Sequence, residues 1–533
     1  MNERRTWLLL TAALFGSVLL CFWPGLGNFL AGDDFNWVFD GVKTIQRPSH
    51  FLIPEYHFVR HVELAYFVVN LLLARLGLAT FQLSALLLHA GCAVLLARLV
   101  VRLGGERGEA LVIALFWALT YKHVEVVLRP YAVADSLALL LGLAAMLAHL
   151  ARRPVLATLC LVVALFSKEN ALVFAPLVTL HAALFTDRAE RRSWLLRTLP
   201  LWGVSALFAG FEAWIRLGLP TVVPFGFAGF TRFWENVLSY VGPHPAWLRH
   251  AVLGQDATLV PLWLAALLWL ALAVAIWRLR GLARFGLAWM TLFMLPTASY
   301  AYQGSRYEYV PLVGVWMVLG HGLYAWVRRA AERGRRRTAA GLVAVGGAVL
   351  LYFLVGINLE QSDYALMGEM HRQAAQSFRR DVLPELPEGP GSMTVFLRPP
   401  ARPWLEELYA HSLLKPWWAP ATYKWFYPRT TGILGQASTY GFVTWCAWGE
   451  RDSPLFVVVP YPEFAERLAR GDFVAVIHDG ASNSFSIGPP GLVAELATRP
   501  PTRDLYAALQ PGRFDPSASG STLEVAAKAE GPE

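Results

Sequence analysis

Gly32-Asp33-Asp34-Phe35 places two adjacent carboxylates directly after the apolar stretch 7–28. A carboxylate in that position can take a proton from a hydroxyl or hold a divalent ion, although an aspartate pair more often caps a helix. Further along, Tyr121-Lys122-His123-Val124-Glu125 is followed by Arg129-Pro130-Tyr131 and Asp135, a dense set of ionisable groups beside apolar sequence. Groups at such depth are usually functional, or else pair with one another. His123 and Glu125 stand two residues apart, so they share a face only if the backbone there is extended. In Ser167-Lys168-Glu169-Asn170 an acid and a base occupy a tight turn between two apolar stretches. In Tyr300-Ala301-Tyr302-Gln303-Gly304-Ser305-Arg306-Tyr307-Glu308-Tyr309-Val310-Pro311 a lone arginine sits among tyrosines. Its planar fork suits a pair of phosphate oxygens.

The elements that must position these groups are apolar helices. The chain has 533 residues, 56% of them hydrophobic and 13% aromatic, with a mean hydropathy of +0.43. Apolar stretches at 7–28, 81–101, 110–121, 133–150, 155–167, 170–186, 197–215, 260–277, 284–299, 309–327 and 338–357 give about eleven expected spans. With a cytoplasmic N-terminus, the inner loops carry Arg4 and Arg5, then Arg98 to Arg107, Arg152 and Arg153, Arg188 to Arg197, Arg278 to Arg284 and Arg328 to Arg337. That distribution follows the positive-inside rule and accounts for the net charge of +8, so basicity here does not point to nucleic acid. Counting His61–Leu78 as a span would invert every later loop. It is therefore expected to lie along the outer surface as an amphipathic helix, with a second such helix over Phe227–Val252.

Residues 1–29 are basic and then apolar but lack a small-x-small cleavage site, so they read as an uncleaved span. Cys21, Cys92 and Cys160 lie in apolar stretches and Cys446 stands alone in the polar part, which gives neither a disulfide framework nor a CxxC site. After Ile357 the sequence turns polar and proline-rich, with strand-like runs Met393–Leu397, Leu455–Val459 and Phe473–Ile477 and a helix-like Tyr461–Arg470. The expected organisation is a membrane domain over 1–357, an extracytoplasmic α/β domain over 358–513 and a disordered tail over 514–533.

One chemistry uses all the pieces of the outer face: transfer of a sugar from a lipid phosphate to a hydroxyl. The acceptor needs a carboxylate base, the departing phosphate needs fixed cations, and the carrier lipid needs an apolar groove. Asp33-Asp34, Arg60 introducing the external helix, Phe81-Gln82-Leu83-Ser84-Ala85-Leu86-Leu87-Leu88-His89, His123-Val124-Glu125-Val126-Val127, Ser167-Lys168-Glu169-Asn170 and Ser305-Arg306-Tyr307-Glu308-Tyr309-Val310-Pro311 form an ordered set. Over residues 7–327 it resembles the GT-C membrane glycosyltransferases, and most of all the transmembrane O-mannosyltransferases that carry tetratricopeptide repeats and their bacterial relatives.

The resemblance implies a polytopic helical GT-C fold, a polyprenyl-phosphate sugar donor, inversion at the anomeric carbon and an outward-facing site. It makes Asp33 or Asp34 the base and Glu125 a second acid. Lys168 and Arg306 would contact the donor phosphate, Glu169 would orient Lys168, and His123 would line the site, with Arg60, Arg129 and Tyr307 in support. The sequence departs from the pattern in having His61 rather than proline after Arg60, no His-Pro before His123, and no tetratricopeptide repeat. The acceptor, a glycan or a protein, is therefore left open, as is a divalent ion at Asp33-Asp34. The richness in Ala, Leu and Arg points to a bacterial inner membrane, with the N-terminus cytoplasmic and the C-terminal domain outside. Two other readings use some of the same features. One is a ligase or polymerase with a diphosphate-linked donor; the other is a transporter or flippase, which internal duplication and midplane charges would favour.

Overall fold

The computed structural model describes residues 3–30, 34–52, 59–74, 79–216, 260–297 and 305–377, a few positions of 231–237, and short pieces, mostly strands, between 380 and 488. Each of the eleven apolar stretches falls mostly on helix among the described residues. Among the described residues five helices are long and apolar enough to cross a membrane, and six if the bent pair Arg107–Ala118 and Tyr121–Leu128 is one span. This is a helical membrane protein. The helices Pro154–Leu165, Glu169–Leu184, Leu262–Arg278 and Gly281–Met294 are apolar but shorter. The segment expected to lie along the surface forms a helix over His61–Leu73, whereas most of Phe227–Val252 lies outside the described residues.

The chain divides into two compact units, residues 1–27 with 41–363 and residues 28–40 with 364–533. The first is the helical body. Its core is aromatic, with Trp117, Trp289, Tyr309, Phe22, Phe81, Phe174 and Phe285 almost fully enclosed. Helices Gly281–Met294 and Pro311–Glu332 cross at Gly286 and Gly314, where a Cβ on Gly286 would stand 2.7 Å from the Gly314 carbonyl oxygen. Small residues at such a crossing let two backbones touch, which is how helices pack when the surroundings are as apolar as their side chains.

The second unit begins within a single helix, Arg336–Ser377, whose 42 residues run through the expected boundary at Ile357. At about 1.5 Å per residue that helix is longer than a bilayer is thick, which is why the composition changes before the helix ends. Residues 28–40 belong to this unit because Phe29 packs its backbone onto Gly368, at 2.9 Å from where a Cβ would be, and its ring lies 5.9 Å from the Arg372 guanidinium. Five strands follow, β1 (Gly391–Arg398), β2 (Thr444–Trp448), β3 (Val457–Val458), β4 (Phe473–Asp479) and β5 (Ser484–Ile487), in the order β3-β2-β1-β4-β5. β1 and β4 pair in parallel from Ser392 opposite Phe473 to Arg398 opposite Asp479, and the other pairs are antiparallel. The three strand-like runs thus fall on β1, β3 and β4. The expected helix Tyr461–Arg470 and the tail 514–533 lie outside the described residues.

Candidate functional site

The expected site residues of the helical body gather around the turn Ser305–Glu308, and the reason lies in how that turn is held. The helix Arg107–Ala118 breaks and resumes as the turn Tyr121–His123 and the helix Val124–Leu128, bent by 57°. The bend carries Glu125 beneath Arg306, whose backbone N–H donates to Glu125 Oε2 at 3.0 Å. The other oxygen, Oε1, accepts from the Tyr131 hydroxyl. Glu125 therefore positions the backbone of the arginine turn. His123, two residues earlier, faces the other way because the backbone is helical rather than extended. Its ring is buried against Trp117, His89 and Tyr309 at 4.9, 5.4 and 4.7 Å, behind the turn.

Beyond the arginine the turn is fixed from several helices. Trp117 Nε1 donates to the Tyr309 carbonyl at 3.3 Å and Trp289 Nε1 to the Val310 carbonyl at 2.8 Å. His89 Nε2 donates to the Ala118 carbonyl at 2.9 Å, which leaves Nδ1 to accept from the Tyr309 hydroxyl at 2.8 Å; Ser136 Oγ adds a bond to that hydroxyl at 3.3 Å. These contacts orient Arg306 without touching its guanidinium.

That guanidinium lies 4.8 Å from the centre of the Tyr131 ring and 5.1 Å from that of Tyr307, with Nη2 3.4 Å from the Tyr307 hydroxyl. Arg129 stands 4.5 Å from the Tyr131 ring and Lys168 Nζ 5.3 Å from the Tyr307 ring. Arginine and lysine over tyrosine faces are attracted by the ring quadrupole, so cations and rings alternate here: Arg129, Tyr131, Arg306, Tyr307, Lys168. Among the described residues Arg306 makes no ion pair with a carboxylate. Other cations of the body do: Lys122 Nζ is 3.8 Å from Glu308, Lys168 Nζ 2.5 Å from Asp135, and Arg60 holds Glu169.

The partners of Lys168 and Glu169 differ from the expected pairing. Lys168 has an extended backbone, φ −160° and ψ 140°, so successive side chains leave in opposite directions. Lys168 turns to Asp135, in the first turn of helix Val133–Leu150, where Asn170 Nδ2 also reaches Asp135 Oδ1 at 3.5 Å. Glu169 turns to Arg60, which binds it through Nε at 3.2 Å and Nη2 at 3.0 and 3.1 Å. The helix His61–Leu73 is thereby latched to this turn, a contact reinforced by the Val62 N–H donating to the Phe166 carbonyl at 3.0 Å. Asp135 and Tyr131 have no feature in the sequence that singles them out from the other groups of their motif.

Glu63, in the first turn of helix His61–Leu73, is fully enclosed, and neither of its oxygens has a hydrogen-bond partner. Burial pushes its carboxyl up to about 8, and Arg60 at 3.5 Å fails to offset this because its fork is committed to Glu169. A folded value raised above the ordinary 4.5 means that only the unfolded chain ionises between those two pH values. Stability therefore falls as pH rises from about 4.5 to about 8 and then levels. Glu63→Gln removes that dependence, so its melting temperature in lipid nanodiscs should equal the wild type's at pH 4 and exceed it by a margin that grows to pH 8. A constant offset across this range would show that Glu63 stays ionised.

Asp33 lies outside the described residues, as do Tyr300 to Gly304. Asp34 opens the helix Asp34–Gln46, is 1% exposed, and belongs to the second compact unit. Among the described residues no group of three His, Cys, Asp or Glu side chains is arranged to hold a metal ion.

No protein-family model and no curated protein matches this chain. The functional reading therefore rests on the geometry around Arg306 and on the ordered motifs of the sequence.

Proposed function

We propose that this protein is a membrane glycosyltransferase of the GT-C kind, which moves a sugar from a polyprenyl-phosphate carrier to an acceptor hydroxyl at the outer face of a bacterial inner membrane, with inversion. In this reading about eleven spans thread the chain with its N-terminus inside, and the β1–β5 unit lies outside, where it meets a glycan or protein acceptor. The observation that carries the reading is Arg306: a guanidinium on a turn whose backbone is held by Glu125, packed on tyrosine rings and with no carboxylate within ion-pair distance among the described residues. A fixed cation of that kind suits an anionic group brought by the substrate, and a departing phosphate is where charge develops. Lys168 and Arg129 flank it, and Asp33 or Asp34 supplies the base.

A second reading draws on the same row of cations. Three basic side chains along two rings would also suit a diphosphate, as in a ligase or polymerase of lipid-linked glycans. Analysis of the released carrier separates the two, since one leaves as a monophosphate and the other as a diphosphate.

The test is turnover of radiolabelled polyprenyl-phosphate sugars by the purified protein in lipid, with crude acceptor extract, comparing wild type with Asp33→Asn/Asp34→Asn. Wild-type release of one sugar, lost in the double variant, is the expected result. Undiminished release by the variant would remove the base assignment. Absence of release from every monophosphate and diphosphate donor, with divalent metal added, would overturn the transferase reading.

A further inference from the structure

A second basic feature lies on the arginine-rich face, away from the Arg306 turn. The short helix Arg188–Leu196 packs Trp194 against His149 and His181, with ring centres 5.2 and 6.2 Å away. Arg152 and Arg197 both lie 5.5 Å from that indole, but they are not equivalent. Arg152 is neutralised by Glu190 at 2.8 Å, and Glu190 also accepts from Trp194 Nε1 at 3.1 Å. Arg197 makes no ion pair among the described residues, and its Nη1 is buried without a hydrogen-bond partner.

Next to it opens a groove of about 590 Å³ whose lining includes Arg192, Ser193 and Arg197 together with Pro154, Leu196 and Pro200. Ligand sites are commonly of this size. The groove has cations with no carboxylate within ion-pair distance among the described residues, a serine beside them, and apolar residues in the same lining. Those are the parts of an amphiphile with an anionic head. The inner leaflet supplies such molecules, and basic pockets between spanning helices on that side bind lipid head groups.

We propose that this groove seats the phosphate of an anionic phospholipid, with Arg192 and Arg197 on the phosphate, Ser193 donating to it, and Pro154, Leu196 and Pro200 against the glycerol and first acyl carbons. The inference needs only the membrane placement of these loops and stands apart from the transfer chemistry. The bound lipid would tie the turn Arg152–Arg153 to the segment that precedes helix Leu199–Arg216.

Native mass spectrometry of the full chain, titrated with phosphatidylglycerol or phosphatidylcholine, tests it. The wild type is expected to retain phosphatidylglycerol preferentially. Each of Arg192→Gln and Arg197→Gln should weaken that retention about fivefold, the effect of about 1 kcal/mol per basic residue. Arg188→Gln changes net charge equally on the same helix but lies outside the groove lining, and should leave retention unchanged. Arg192 is exposed, so its variant tests the site without disturbing the fold. Equal retention of the two lipids, or equal weakening by Arg188→Gln and Arg192→Gln, would overturn the site. Displacement of the lipid by glycerol phosphate at comparable concentration would overturn the lipid assignment in favour of a small anion.

Discussion

Arg306→Ala is expected to lower sugar transfer by about two to three orders of magnitude, the range seen when one fixed donor to a developing oxyanion is removed. The accompanying loss of stability should be modest beside the loss of transfer. The guanidinium makes no ion pair among the described residues, and its two partly buried ring contacts are worth about 1–2 kcal/mol each. The backbone of the turn is held by Glu125, Trp117 and Trp289, none of which needs the side chain. Arg306→Lys keeps the charge but loses the planar fork, so it should fall between alanine and wild type. Turnover of the polyprenyl-phosphate sugar and thermal unfolding, measured on the same nanodisc sample, give the two numbers. Wild-type turnover in Arg306→Ala would remove the observation on which the proposed function stands.

The second large effect is on stability and comes from the pair Lys168–Asp135. Both side chains are almost fully enclosed, with 5% and 1% of the residue exposed, and their charged atoms are 2.5 Å apart. Asp135→Ala strands a buried ammonium, which typically costs about 3–5 kcal/mol. Replacing both partners, as in Lys168→Met/Asp135→Leu, removes the stranded charge, and such exchanges are often neutral or stabilising. The single variant should therefore unfold at markedly lower temperature or fail to accumulate, and the double variant should recover. Transfer separates a structural pair from a functional one. If Lys168 meets the donor phosphate, the stable double variant remains inactive; a double variant both stable and active would leave Lys168 a purely structural role.

The helices were the most legible part of the molecule because lipid-compatible stretches of this length have few other ways to satisfy their backbone. Their ends were less so. The stretch 110–121 continues past a bend into Val124–Leu128, and it is this continuation that turns His123 inward and Glu125 toward Arg306. Arg306 was legible as a cation out of place in an aromatic outer segment, and Lys168 as a cation in a tight turn. Their surroundings were not. Lys168 and Glu169 are neighbours in sequence, yet they bind Asp135 and Arg60, 33 and 109 positions away, because one extended residue sends their side chains apart. The indoles of Trp117 and Trp289 carry no mark in the sequence that distinguishes them from other core tryptophans. Their role appears only when the helices assemble around the carbonyls of Tyr309 and Val310.

Those two carbonyls have a kinetic consequence. With indoles from separate helices on the carbonyls of successive residues, and Glu125 on the Arg306 amide, moving the arginine turn would break three hydrogen bonds at once. Under the proposed function, a donor phosphate would meet a turn already held by these bonds, which lowers the cost of ordering it on binding. The slow step of a cycle built on such a seat would then lie with the lipid carrier, whose entry and departure depend on lateral movement through the bilayer rather than on the opening of this turn.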